Sequence, residues 1–295
     1  MAQPRVKVLF DTDIGSDIDD ALALAYLLCQ PRCDLLGVTT VTAEPVKRAQ
    51  MASAICRHAG RGDVPIHSGC PDGLLAPILL KSAAQAKALQ GWDYQADFPE
   101  NTAVEFMRRT LRAHPGEVTL LAVGPMTNVG LLFATDPQVP ALLKQLVLMC
   151  GVFFRAGGEW NAINDPAATA ITYGHGPQAR PARHVSYGLD VTTQCKMARD
   201  ECRQRFTAKA LEPVRGFAEV WFERAEQVVF HDPLAAACIF EPDLCTYKQG
   251  TVRVSLHEPT KGWTTFSQGG DAKPHTVAHQ VDSAAFLEHY FSIVK

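Results

Sequence analysis

The sequence predicts an α/β protein whose sheet is mainly parallel and flanked by helices. Short runs rich in Val and Leu alternate with helical patterns over most of the chain. These runs are apolar along their length, which is typical of parallel strands covered on both faces. The sequence shows no internal repeat, low-complexity tract or long linker that would mark a domain boundary. We therefore expect residues 1–295 to form a single domain with a Rossmann-like arrangement.

The predicted elements alternate regularly along residues 6–210. Strands are predicted at 6–10, 34–41, 64–67, 118–123, 144–150 and 184–190. Helices are predicted at 19–29, 45–59, 101–113, 126–134, 165–173 and 200–210. The helix at 19–29 is apolar nearly all round, so we expect it to be buried on most sides. Two later runs, at 251–257 and 262–267, predict a small appended hairpin. A closing helix is predicted at about 282–293, with Asp282 as its N-cap.

Composition and charge restrict the class of protein. The chain has 295 residues, of which 47% are hydrophobic and 20% charged, so it is not disordered, collagenous or a coiled coil. Lys plus Arg number 28 and Asp plus Glu 31, and 28 − 31 gives a net charge of −3. Without a basic block we expect neither a nucleic-acid nor a membrane partner. The nine cysteines form no CxxC pair and no signal peptide is recognisable, so we expect a reduced, cytoplasmic protein.

An acidic cluster follows the first predicted strand. Five carboxylates lie within ten residues: Asp11, Asp13, Asp17, Asp19 and Asp20. In open α/β sheets, ligands bind at this carboxyl edge of the strands. Carboxylates packed this closely raise one another's pKa unless a cation compensates. Oxygen ligands of this kind suit Ca²⁺ or Mg²⁺, so the cluster predicts a site for a hard cation.

A second interpretation of the same segment remains open at this point. Residues 11–15 fit the first four positions of the DxDx[TV] motif of haloacid-dehalogenase-type phosphatases and fail at the fifth, Gly15. Asp11 would then be the nucleophile and Asp13 the acid/base of a Mg²⁺-dependent phosphohydrolase. That chemistry also needs a lysine and a second acidic pair, which we do not identify in the sequence.

Four segments resemble the nucleoside hydrolases, the calcium-dependent, inosine–uridine preferring N-ribohydrolases. Residues 11–21 are similar to the family's DxDxGxDDA motif, and 123–128 (VGPMTN) are similar to its VGPLTN turn. Residues 159–166 (EWNAINDP) and 231–234 (HDPL) resemble two further motifs of the family. The four occur in the family's order, so the resemblance covers residues 6 to about 240 and the closing helix.

The resemblance implies a catalytic Ca²⁺ site. The ion would be held by Asp13, Asp20, Asp232 and the backbone carbonyl of Val123. Asp13 would also orient and deprotonate the attacking water. His231 would be the candidate proton donor to the leaving base. A base-activated water is what hydrolysis of a glycosidic bond requires, because its transition state resembles an oxocarbenium ion.

The resemblance also implies the substrate contacts. Asp19 and Asn161 would bind the 2′- and 3′-hydroxyls of the ribose, and Glu159 the 5′-hydroxyl. Glu44 stands where the family has an asparagine, which makes it a further candidate for a substrate contact. Trp92 lies in a polar, Gly-containing stretch at 90–94 and is a candidate wall for the base.

The chain departs from the family pattern in two loops. Two extra residues separate Gly15 from the Asp19–Asp20 pair, so Asp17 is an added carboxylate. The loop at 151–158 is shorter than in common members and lacks an asparagine that helps to bind the 5′-hydroxyl.

We therefore expect a Ca²⁺-dependent enzyme that splits ribonucleosides, with purine or pyrimidine bases, into ribose and free base. The family resemblance suggests a homodimer or homotetramer. The alternatives are the Mg²⁺-dependent phosphohydrolase and a non-catalytic nucleoside- or ribose-binding protein.

Overall fold

The computed structural model describes residues 5–79, 82–174, 183–269 and 274–295. The strands in this part of the chain are β1 (Val6–Thr12), β2 (Cys33–Thr40), β3 (Ile66–Ser68), β4 (Val118–Ala122), β5 (Gln145–Met149), β6 (His184–Tyr187), β7 (Lys196–Ala198), β8 (Gln227–Val229), β9 (Cys245–Val254), β10 (Thr264–Ser267) and β11 (His275–Val281). Nine of them form one sheet in the order β10-β9-β11-β6-β5-β4-β1-β2-β3, and β7 pairs with β8 in a separate antiparallel ribbon.

The α-helices lie between these strands and after the last one. They are α1 (Asp19–Cys29), α2 (Pro45–His58), α3 (Ala103–Ala113), α4 (Thr127–Thr135), α5 (Trp160–Asn164), α6 (Pro166–Thr172), α7 (Leu189–Thr192), α8 (Arg199–Arg205), α9 (Glu212–Phe222), α10 (His231–Ala237) and α11 (Ser283–Ile293). Short 3₁₀ turns occur at 84–89, 139–142, 209–211 and 242–244. Among the described residues, no helix is both long and apolar enough to span a bilayer.

The central strand β1 is apolar because both of its faces are covered. Val8 and Phe10 pack into the hydrophobic cluster on one face of the sheet, and Leu9 packs into the cluster on the other. All three side chains are fully buried. This two-sided burial is the reason that a continuous apolar run predicts a parallel strand.

The order of the strands places a crevice at the end of β1. β1 pairs in parallel with β2 on one side and with β4 on the other. The chain thus builds the sheet outward from β1 through β2 and β3, and then from β4 through β5 and β6 in the opposite direction. Ligands of open α/β sheets bind at such a reversal, outside the carboxyl ends of the strands. Asp13 and Val123 directly follow the two strands at this reversal.

Helix α1 carries its acidic N-terminus into the interior. Every residue from Asp19 to Leu27 is buried, as the all-round apolar pattern predicts. The helix packs against α2 and α10. The packing of α10 on α1 brings Asp232 beside the start of α1, although the two segments are far apart in the chain.

The predicted fold class is confirmed, and the structure adds three strands that the sequence analysis does not identify. The predicted hairpin is present as β9 and β10, and the unpredicted β11 joins it to the main sheet. The other two unpredicted strands are β7 and β8. The strand predicted at 184–190 ends at Tyr187, because the chain turns at Gly188 into α7.

Candidate active site

A cavity of about 390 Å³ opens at the carboxyl ends of β1 and β4. It is lined by residues from the loop after β1, the start of α1, the end of β4, α5, α9 and the start of α10. Most of the residues predicted for the site line it, namely Asp13, Asp19, Asp20, Val123, Glu159, Asn161, His231 and Asp232. Its size suits a small polar ligand such as a nucleoside.

Three buried carboxylates meet at one point of this cavity. Each of Asp19, Asp20 and Asp232 offers an oxygen atom, and these atoms lie within 4.8 Å of one another. The backbone amide of Asp232 also donates a hydrogen bond to Oδ2 of Asp19, at 3.1 Å. Asp13 lines the same cavity. Four buried acidic side chains therefore line one cavity, and three of them meet at a single point.

Burial and mutual repulsion oppose ionisation of these carboxyls. Burial raises the pKa of Asp19 and Asp232 well above the usual value, and the charges of neighbouring aspartates raise it further. The pKa of Asp20 is raised in the same way, and burial raises that of Asp13. An all-oxygen, acidic donor set of this kind fits a hard divalent cation, which would compensate the repulsion.

The turn after β4 brings the carbonyl of Val123 to the cavity. Its oxygen accepts a hydrogen bond from Nδ2 of Asn161 at 2.6 Å, and Nδ2 also donates to the carbonyl of Met149 at 3.0 Å. The following residue has to be glycine, because a Cβ on Gly124 would lie 2.9 Å from the backbone nitrogen of Asp13. The close approach of these two loops depends on that missing side chain.

Glu159 caps the N-terminus of α5 and also lines the cavity. Its carboxylate accepts hydrogen bonds from the backbone amides of Asn161 and Ala162 at the start of α5. It also accepts one from the amide of Gly151, at 3.0 Å. Burial raises the pKa of Glu159, and these three amides lower it. The amides hold the carboxylate in place beside Asn161.

His231 faces the cavity from the start of α10. Its Nδ1 lies 2.7 Å from Oγ1 of Thr192. Burial lowers the pKa of His231 to about 4, so the imidazole is neutral at neutral pH. A neutral imidazole whose Nδ1 accepts from Thr192 carries its proton on Nε2, where it is available as a hydrogen-bond donor.

A polar layer behind the cavity supports the carboxylates. The hydroxyl of Thr12 donates to Oδ1 of Asp20. Asp11 lies at the end of β1 outside the described lining of the cavity, and its Oδ1 accepts from Thr39 at 2.5 Å and from Asn128 at 2.8 Å. Burial raises the pKa of Asp11 to about 7. In this position Asp11 is bound to β2 and α4 and does not line the cavity as a nucleophile would.

The structure places Glu44 and Trp92 outside the described lining of the cavity, so the substrate contacts predicted for them stay predictions. Glu44 precedes α2, where Oε1 pairs with Lys47 and Oε2 accepts from the amide of Ala83 at 3.0 Å. Trp92 packs edge-on against the ring of His58 on α2, with the ring centroids 5.2 Å apart.

Several other residues line the cavity without having been predicted for the site. The added carboxylate Asp17 lies in its wall, and burial raises its pKa to about 6. Trp221 also lines it, and the guanidinium of Arg224 lies 5.1 Å from the centre of the Trp221 ring. Trp160 is 45% exposed, which excludes a core position for it. The spacing of apolar residues along the sequence does not distinguish a tryptophan that lines a cavity from one that packs in the core.

The fold and the cavity together define an α/β enzyme whose site is a cup of buried carboxylates at the reversal of strand order. The chain belongs to the inosine-uridine preferring nucleoside hydrolase family, whose description matches residues 8–288. The match covers the sheet, the cavity and most of the closing helix. The predicted family is therefore confirmed.

Named relatives agree with this assignment along nearly the whole chain, and a solved structure shares the fold. Uridine nucleosidase 1 of Arabidopsis thaliana is 30% identical, covering 96% of this chain and 91% of that protein. The pyrimidine-specific ribonucleoside hydrolase RihA of Citrobacter koseri is 29% identical, covering 96% of each. The structure of a purine-preferring ribonucleoside hydrolase from Gardnerella vaginalis superimposes with a TM-score of 0.85 at 24% identity, covering 98% of each chain.

Membership of this family settles the enzyme class. The chain is a nucleoside hydrolase, an enzyme that cleaves the N-glycosidic bond of ribonucleosides. The two alternatives, a phosphohydrolase with Asp11 as nucleophile and a non-catalytic binding protein, are not favoured.

Proposed function

We propose that this chain hydrolyses ribonucleosides to ribose and free base with the help of one Ca²⁺ ion. The observation that carries the proposal is the meeting of Asp19, Asp20 and Asp232 within 4.8 Å in a cavity that Asp13 also lines. Of the basic side chains, Arg224 and His231 line the described cavity wall, and Arg48 lies behind it. Ionised carboxylates packed this closely repel one another, and a bound cation would compensate that repulsion.

Asp13, Asp20, Asp232 and the carbonyl of Val123 are the ligands that we assign to the ion. Carboxylate and carbonyl oxygens without any thiolate or imidazole favour Ca²⁺ over zinc. When bound, the ion supplies Lewis-acid chemistry, which lowers the pKa of a water molecule and holds the sugar hydroxyls in place.

Asp13 is the group that we assign as general base. Its carboxylate accepts a proton from the attacking water on one face of the sugar ring. Asp19 and Asn161 orient the 2′- and 3′-hydroxyls, and Glu159 binds the 5′-hydroxyl.

His231 acts on the opposite side of the scissile bond. As a neutral imidazole it donates a hydrogen bond to the base and so stabilises the negative charge that develops there. Trp221, which lines the cavity, offers a ring face for stacking of the base. We keep both purine and pyrimidine ribonucleosides as substrates, with uridine as the first to be tested, since the relative from Arabidopsis thaliana is named for that substrate.

The assembly and the compartment are also proposals. We propose a homodimer or homotetramer in the cytoplasm, with no nucleic-acid partner. Light scattering of the purified protein tests the first part, because a monomer would contradict it.

Release of reducing sugar from a panel of nucleosides tests the function. We expect turnover of at least one ribonucleoside, loss of turnover with a chelator, and recovery when Ca²⁺ is added back. Release of phosphate from sugar phosphates without any nucleoside turnover would contradict the proposal, and so would tight nucleoside binding without turnover. Turnover that persists in chelator would contradict the role of the cation.

A further inference from the structure

A fully buried arginine lies behind the acidic loop. Arg48 on α2 is 0% exposed and lies outside the described lining of the cavity. Its Nη1 donates to the backbone carbonyl of Asp13, to the carbonyl of Ile14 at 2.9 Å and to the hydroxyl of Ser16 at 2.9 Å. The guanidinium therefore contacts three successive parts of the loop that leaves β1.

The same side chain also holds the loop that leaves β2. Nε of Arg48 donates to the carbonyl of Thr42 at 2.9 Å. Thr42 and Ala43 have φ values of 80° and 44°, a left-handed conformation that is unfavourable for residues with a side chain. This turn persists only where its surroundings fix it, and Arg48 is one of the groups that do so. One guanidinium thus joins the two loops at the carboxyl edge of the sheet.

Two further donors hold the middle of the acidic loop. Nη2 of Arg224 and Nε2 of Gln85 donate to the carbonyl of Ser16, at 2.7 and 3.2 Å. Gly15 supplies the bend with a φ of 112°, and a Cβ there would lie 2.8 Å from Sδ of Met51. The loop with the two extra residues is therefore fixed through its backbone oxygens and the Ser16 hydroxyl.

The position of this guanidinium suits a role in placing carboxylates. Its positive charge lowers the pKa of both Asp13 and Asp20, against the effect of burial. Asp13 thus has its backbone carbonyl held by Arg48 while the residue itself lines the cavity. A lysine has one ammonium group in place of a planar fork, so it does not bridge the two loops in the same geometry.

We propose that Arg48 is a positioning residue for hydrolysis of the N-glycosidic bond. Its fork fixes the backbone of residues 13–16 against the turn after β2, and this keeps the carboxylate of Asp13 at the place of the attacking water. The inference rests on the proposed role of Asp13 as general base. A displacement of a reacting group by about 1 Å can cost about 100-fold in rate.

The test compares Arg48→Met and Arg48→Lys with Ile55→Ala. Ile55 is also fully buried on α2 but belongs to the hydrophobic core, so its truncation reports what loss of stability alone does. For each variant, kcat and KM with uridine, the melting temperature, and Ca²⁺ binding by calorimetry are measured. We expect kcat of Arg48→Met to fall about 100-fold below that of Ile55→Ala, with a smaller change in KM.

Arg48→Lys keeps the positive charge and removes the planar guanidinium, so it separates the two contributions. It also provides the test if Arg48→Met does not fold. We expect Arg48→Lys to keep a folded protein while losing at least about 10-fold in kcat, with weaker Ca²⁺ binding than in Ile55→Ala. Wild-type kcat and Ca²⁺ affinity in Arg48→Lys would overturn the proposal. So would kcat of Arg48→Met within about threefold of the Ile55→Ala value.

Asp13→Asn, measured in the same series, distinguishes failure of the proposed general base from failure of the positioning role alone. Near-normal kcat in Asp13→Asn would show that the proposed general base is wrong, and the inference about Arg48 would fall with it. Loss of kcat in Asp13→Asn together with normal kcat in both Arg48 variants would leave the proposed function standing and overturn only the positioning role.

Discussion

The backbone amide of Asp232 donates a hydrogen bond to the carboxylate of Asp19 at 3.1 Å, although 213 residues separate the two along the chain. This contact joins the first turn of α10 to the first turn of α1. Both helix N-termini point their partial positive charge toward the carboxylates, which partly offsets the repulsion among them. The acidic cup is therefore a product of the packing of two distant helices, and its properties should respond to changes at either one.

Asp232→Asn should abolish tight Ca²⁺ binding while the protein stays folded. The amide keeps the size of the side chain and removes one of the assigned ligand charges. Loss of a residue that only supports a ligand costs about 10- to 100-fold in metal affinity, so loss of a ligand should cost more than 100-fold. Calorimetric titration with Ca²⁺ measures this, with the exposed Asp243→Asn as control. Equal affinities in the two variants would remove Asp232 from the ligand set.

Thr12→Val should weaken Ca²⁺ binding without touching any ligand. The variant keeps the shape of the side chain but removes the hydroxyl that donates to Oδ1 of Asp20. We expect a loss of about 10- to 100-fold in affinity, and Thr12→Ser should restore most of it because the hydroxyl returns. If serine and valine bind Ca²⁺ equally well, the hydrogen bond does not orient Asp20.

His231→Ala should discriminate between leaving groups. Loss of a positioned proton or hydrogen-bond donor costs about 10²- to 10⁴-fold in kcat where the leaving group needs it. We expect that loss with uridine and a much smaller one with p-nitrophenyl riboside, since p-nitrophenolate leaves without assistance. The ratio of the two kcat values between wild type and variant is the measurement. The same fractional loss on both substrates would exclude His231 as the donor.

Asp17→Asn should stabilise the protein in the presence of a chelator. Burial raises the pKa of Asp17 to about 6 from 3.8, so the folded state holds a proton that the unfolded state releases between these pH values. This makes the free energy of unfolding fall as pH rises from about 4 to 6, and the penalty is fully present at pH 7. Removing the charge should recover about 1–3 kcal/mol there.

The pH dependence supplies the control for Asp17→Asn. Thermal or urea unfolding at pH 7.5 should show the gain, and at pH 4 the gain should vanish because Asp17 is then protonated in the folded state. Saturating Ca²⁺ should also reduce it, since the ion compensates the same repulsion. A variant that is no more stable than wild type at pH 7.5 would show that Asp17 does not oppose folding.

Much of the fold was predictable because its signals are local. The apolar run of β1 and the all-round apolar helix α1 identify themselves within a few residues, and both are buried as expected. β11 has no comparable signal, because its alternating exposure resembles that of many loops and its pairing partners β6 and β9 are distant in sequence. Strand order likewise depends on packing that no short segment encodes.

Only those residues of the site that lie in a recognisable sequence motif were predictable. Asp13 and Asp232 were identified because each lies in a recognisable segment. The contacts of the Glu44 side chain with Lys47 and with the amide of Ala83 lie outside any motif, so its position was not predictable. Arg48 and Arg224 lie in no motif, and their contacts with the acidic loop arise from the approach of α2 and of the segment after α9.

A crystal structure of the protein soaked in Ca²⁺ tests the central claim most directly. We expect one ion in the cavity, about 2.3–2.6 Å from carboxylate oxygens of Asp13, Asp20 and Asp232 and from the carbonyl oxygen of Val123. An ion held by Asp19 in place of Asp13 would contradict the assignment of Asp13. A cavity that stays empty at millimolar Ca²⁺ would contradict the cation site altogether.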